Sequence, residues 1–153
     1  MQTAIHKALD QIIDRPLLDA PLLDGKMTDE DLSVLYNLAQ ALYEAGDYNK
    51  AKELFQHLTL NKPFESKHWM GLASVLQMEK SYANAVTAWS MLAVLLGEDP
   101  LPHFHAADCL WMLGEREKAM LALDEAERHL DGSTYHQDLK DKIAILKKQW
   151  AIS

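Results

Sequence analysis

His103, His105, Asp108 and Cys109 bring four metal-capable side chains into the seven residues HFHAADC. Imidazole and thiolate are the usual ligands of zinc, and a zinc site needs three or four such groups converging on one point. On a helix successive residues are turned by about 100°, so His103 and His105 face nearly opposite ways and cannot share an ion. His105, Asp108 and Cys109 stand at i, i+3 and i+4 and could. A metal-using enzyme built on those three is therefore one reading of the stretch. Cys109 is the only cysteine, so a Cys2His2 site is impossible within one chain. What these residues do depends on the elements that carry them.

Those elements repeat. Ala39, Ala73 and Ala107 are each 34 residues apart, as are Ala51, Ala85 and Ala119, Leu42, Leu76 and Leu110, and Phe55, Trp89 and Leu123. No gap is needed to align three copies, 32–65, 66–99 and 100–133. A period of 34 with small residues at two fixed positions is the tetratricopeptide pattern, a helix–turn–helix unit stacked in tandem. Small side chains let two antiparallel helices approach, and the bulky columns beside them fill the remaining space. The fold class expected is all-α, with about eight helices. Turns fall at the column of Gly46, Lys80 and Gly114, and Pro63 and Gly97 close the first two second helices. Thr28 with Asp31 reads as a helix N-cap. Thr134-x-x-Gln137 reads as a capping box opening a final helix to about Trp150, whose Leu139, Ile143, Leu146 and Trp150 fall near one face. Three segments follow: an N-terminal helix and Pro-containing arm over 1–27, repeats over 28–133, and a capping helix over 134–153.

The repeat frame puts His103–Leu113 on the first helix of the third copy. Ala106 and Ala107 share packing columns with Leu72 and Ala73, and Cys109 shares one with Ala41 and Val75. The block therefore reads as structural histidines and a small semi-buried cysteine, with no metal site and no cofactor expected. No P-loop, G-x-G-x-x-G, H-E-x-x-H or G-x-S-x-G occurs, and no catalytic residue is assigned.

Composition narrows the partners. The formal net charge of −8 argues against reading nucleic-acid phosphates and against anionic membranes. The run SMLAVLLG is far short of the ~20 residues that span a bilayer, so stable membrane insertion is not expected. The N-terminus lacks the apolar core of a signal peptide, and one cysteine suits a cytosolic, cytoplasmic location. Ile5, Leu9, Ile12 and Ile13 form a short apolar stripe that fits self-association as a homodimer. The doubled PLLD of RPLLDAPLLDGK is either a loop packed on the repeats or part of a contact surface.

In arrays of this kind the first helices of the pairs line the concave surface. Helical spacing then points Tyr36, Gln40 and Tyr43, then Met70, Ser74 and Gln77, then Leu101, Phe104, Asp108 and Trp111 toward a groove. Large apolar residues are normally avoided on an exposed surface. Either some of them belong to the core or lie under the N-terminal arm, or they form a groove for an apolar peptide, with flexible methionines adapting to it. The Lys, Arg and Asn set of a clamp for a terminal carboxylate is absent.

A short N-terminal helix before three repeats, the segment PFESKHWMGLASVLQ, and HFHAADCLWMLGEREKA together resemble the class II chaperones of bacterial type III secretion. The resemblance covers about residues 28–150. It implies a non-enzymatic cytoplasmic chaperone whose groove takes an extended Pro- and Leu-bearing segment near the N-terminus of a hydrophobic translocator protein, keeping it export-competent. It also implies that the His-Ala-Ala-Asp-Cys block is a packing motif. Gln40 falls where relatives can carry an aromatic, so one pocket is expected to differ. The alternative is a general tetratricopeptide scaffold joining two cytosolic proteins.

Overall fold

Thr28 starts the first helix. In the computed structural model of the chain, which describes residues 27–152, its side chain accepts from the Asp31 amide while the Asp31 carboxylate accepts from the Thr28 amide. Two otherwise orphaned donors are satisfied, and α1 runs Asp29–Glu44. Six more α-helices follow: α2 Tyr48–Asn61, α3 Ser66–Met78, α4 Tyr82–Leu96, α5 Leu101–Met112, α6 Arg116–Arg128 and α7 Gln137–Ile152. No strand occurs among the described residues. The helix expected over residues 2–14, with Ile5, Leu9, Ile12 and Ile13, lies outside them.

The described residues fall into two compact units, divided between Glu79 and Lys80. In the first, α1, α2 and α3 pack on one another. Leu35, Ala39, Ala51, Leu54, Phe55, Leu58, Ala73 and Val75 are sealed from solvent. Lys52 on α2 reaches Glu79, the C-cap of α3, at 2.6 Å. In the second, α5 packs against both α4 and α6, and α7 packs against α6. Ala107, Ala119, Leu123, Ala126, Leu139, Ile143 and Trp150 form its buried cluster. Both repeating alanine columns, Ala39, Ala73 and Ala107 and then Ala51, Ala85 and Ala119, are at zero exposure. The physical reason given for the period is thus met at every copy.

One local signature reads differently in three dimensions. Ser133, not Thr134, supplies the cap: its hydroxyl accepts from the His136 amide and opens a 3-10 turn over Thr134–His136. α7 begins only after that turn, at Gln137, so the expected Thr134–Gln137 capping box does not form. The Gln137 side chain donates forward to Asp141 instead.

The turn column is more uniform than its residue types. Gly46 (φ 83°), Lys80 (φ 63°) and Gly114 (φ 80°) all adopt the left-handed conformation. A residue with a Cβ pays for that geometry, roughly 1–2 kcal/mol for a non-glycine. Lys80→Gly is therefore expected to raise stability by about 1 kcal/mol, less a few tenths for the freer unfolded chain. Thermal unfolding of the variant checks this, and an unchanged or lower midpoint refutes it.

Candidate peptide-binding site

Within the first unit, α1 and α3 set Tyr36, Gln40, Tyr43, Met70 and Ser74 around one pocket of about 150 Å³, completed by Phe55, Lys67 and Gly71. Ligand cavities for metabolites usually hold ~300–1,000 Å³, so this one fits a single side chain of a longer ligand. Its walls are ordered by their own contacts. Gln40 Nε2 donates to the Tyr36 hydroxyl at 2.6 Å. The Phe55 ring meets Tyr36 edge-on at 6.1 Å, and the Lys67 ammonium stands 4.7 Å over the Tyr36 ring. Tyr43 leans on Tyr48 at 5.5 Å, and Ser74 Oγ donates to the Met70 carbonyl at 2.7 Å. Preset rotamers lower the ordering cost of binding. Lys67 gives the rim a positive charge beside an aromatic face.

Gln77 is half-buried on α3 but does not line this pocket. Phe55 and Gly71 do line it, and their side-chain spacing on the first helices did not announce them. Phe55 comes from α2, beneath the surface. Gly71 lies so close to its ring that any Cβ there would overlap Phe55. An isolated glycine inside a helical pattern is the one sequence signal that could have marked the spot.

A second, more charged recess of about 260 Å³ lies along α1, lined by Asp29, Leu32, Ser33, Lys62, Glu65, Lys67 and His68. His68 is 3% exposed and touches the Tyr36 ring at 5.8 Å. Its burial pulls the imidazole pKa below the usual range, so it is neutral near pH 7.

The second unit treats its four residues unequally. Leu101, Phe104 and Trp111 are half-buried and flank the α6–α7 core cluster. Trp111 stacks on Trp150 with ring centroids 4.5 Å apart and planes within 3°, and Arg116 covers it at 5.0 Å. Trp111 is thus committed to the capping helix, an arrangement that groove spacing alone did not anticipate. Leu101 lines a separate pocket of about 150 Å³ with Tyr135, Asp138, Leu139 and Lys142. Phe104 meets His105 edge-on at 5.4 Å, and Asp108 is half-buried.

Within the HFHAADC block, His105 and Cys109 are held in their neutral forms by burial. His105 stacks on Trp89 at 4.4 Å, and burial, aided by the Lys142 charge, pushes its pKa down to about 4. Cys109 has no exposed surface, and burial, aided by Asp108, pushes its thiol up to about 12. A thiol held protonated is neither nucleophile nor ready ligand.

Residues 36–101 match the tetratricopeptide repeat family. The low calcium response locus protein H of Yersinia pestis is 29% identical over 122 residues, 80% of this chain and 73% of that protein. A chain of the CopN–Scc3 complex is 32% identical with a TM-score of 0.75, covering 78% of this chain and 71% of that one. The Yersinia enterocolitica type III secretion chaperone SycD, solved with a peptide of the translocator YopD, gives a TM-score of 0.78 at 26% identity, covering 84% and 98%. No described helix is long and apolar enough to cross a membrane.

Proposed function

Because this chain belongs to the class II tetratricopeptide chaperones of type III secretion, we propose that it holds an extended segment of a hydrophobic translocator protein before export. The observation that carries the reading is the pocket of Tyr36, Tyr43, Met70 and Gly71, sized for one apolar side chain and floored by Phe55. Binding works by mass action: the bound client is stabilised in a form that neither aggregates nor inserts prematurely. No catalytic group is required, and the site of action is the cytoplasm, where the client waits. Gln40, hydrogen-bonded across to Tyr36, makes one wall polar, so the side chain entering beside it should be compact rather than aromatic. The client segment is about ten residues long, extended, with Pro and Leu as its anchors.

Calorimetric titration of a translocator N-terminal peptide tests this. Tyr36→Ala and Tyr43→Ala should each weaken binding by about 2 kcal/mol, roughly thirtyfold, with helical content unchanged. Phe104→Ala should weaken it too, together with some loss of stability, since Phe104 also packs on the second core. Glu117→Ala, exposed on α6, should bind as wild type. If the tyrosine variants bind normally while Glu117→Ala does not, the client sits elsewhere.

A further inference from the structure

His103 finds partners that no local spacing shows. It lies in the first turn of α5, and α6 brings Glu125 and His129 against it, one turn apart on the same helix face. One ligand atom from each of the three lies within 4.8 Å of the others. The His103 and His129 rings run parallel within 9°, centroids 5.1 Å apart. His129 Nε2 is 3.5 Å from Glu125 Oε2, while its other nitrogen, Nδ1, is 3.4 Å from Glu98 Oε2. The His129 side chain is only 14% exposed.

We propose that His103, Glu125 and His129 form a binding site for one divalent transition-metal ion of the zinc class, with Glu98 orienting His129 from behind. Two nitrogens and a carboxylate oxygen are a donor set that zinc takes, with a water free to occupy the fourth position. Bond lengths of about 2.0–2.2 Å place tetrahedral ligands roughly 3.3–3.5 Å apart. The His129–Glu125 pair already has that spacing. The His103 ligand atom lies within 4.8 Å of both. A carboxylate accepting from the second nitrogen of a ligating histidine fixes its tautomer and leaves the first nitrogen's lone pair free for the ion. Glu98, whose side chain is exposed, approaches that second nitrogen at 3.4 Å. Arg128 opposes the site: its Nη2 donates to Glu125 Oε2 at 2.7 Å, the same oxygen that faces His129. Metal and guanidinium compete for that carboxylate. The ion would tie the start of α5 to the end of α6, clamping the two ends of the third helical pair.

The experiment is titration of Zn2+ into the full chain after chelator treatment, followed by calorimetry, with Co2+ absorption as a second probe. One ion per chain is expected. His103→Gln and His129→Gln should each weaken binding at least tenfold, and Glu98→Gln by about tenfold, the usual cost of losing a supporting carboxylate. Arg128→Ala should bind severalfold more tightly, a gain that a purely structural histidine pair would not produce. Ring-nitrogen resonances of wild type give a readout independent of variant folding: those of His103 and His129 should move on adding Zn2+. No stoichiometric binding at micromolar metal, unchanged affinity in both histidine variants, or movement of other histidines instead, which means an adventitious ion only, each overturns the assignment.

Discussion

Trp150→Ala should remove about 3–5 kcal/mol of stability, the usual cost of truncating a buried tryptophan. Trp150 is 8% exposed and lies face to face with Trp111. The truncation therefore opens a cavity and also strips an aromatic partner, a contact worth about 0.5–1.5 kcal/mol beyond its area. It stands in the last turn of α7, so the chain beyond Ile143 loses its main anchor. Chemical denaturation of the full chain should show a midpoint well below wild type. The first unit holds neither ring, so the Tyr36 pocket should persist at low denaturant, with client affinity there unchanged. A midpoint within experimental error of wild type would mean that α7 contributes nothing to the second unit's stability.

The second expectation is a sign reversal. Gly71→Ala in the wild-type background should cost about 1–3 kcal/mol, because the new methyl meets the Phe55 ring, which is 1% exposed and packed in the core. Phe55→Ala alone should cost about 3–5 kcal/mol through the cavity it leaves. In the Phe55→Ala background, Gly71→Ala should become neutral or stabilising, since alanine exceeds glycine in helix preference by about 1 kcal/mol and now fills empty space. The coupling, about 2–3 kcal/mol, is measured by a double-mutant cycle of unfolding free energies. Additive effects would show that glycine is present for some reason other than this contact. The same cycle read by peptide affinity reports the depth of the pocket, whose floor these two residues form.

What could be read from sequence alone divides along physical lines. The alanine columns were legible because close helix contact demands a small side chain at a fixed step, and three copies repeat it without a gap. Tyr36, Gln40, Tyr43, Met70 and Ser74 were legible because they share one face of helices whose phase the columns set. Phe55 was hidden because a pocket floor can come from the neighbouring helix. Gly71 was hidden because its contribution is a missing side chain. The commitment of Trp111 depends on Trp150, 39 residues later, and no periodic argument ties those two rings together. The same holds for His103 and His129, which only the pairing of α5 with α6 brings face to face. At Ser133 the miss was one of register: two neighbouring hydroxyls could each cap, and the shorter 3-10 turn favoured the earlier one.

Cys109 gives this chain a built-in clock. It is the only sulfhydryl, it has no contact with solvent, and burial keeps it protonated. A thiol reagent can reach it only when α5 transiently separates from its neighbours, so labelling under native conditions counts those openings. With reagent in excess the labelling rate becomes the opening rate, and with reagent scarce it becomes the opening equilibrium. The breathing of the second unit can thus be timed without introducing any probe.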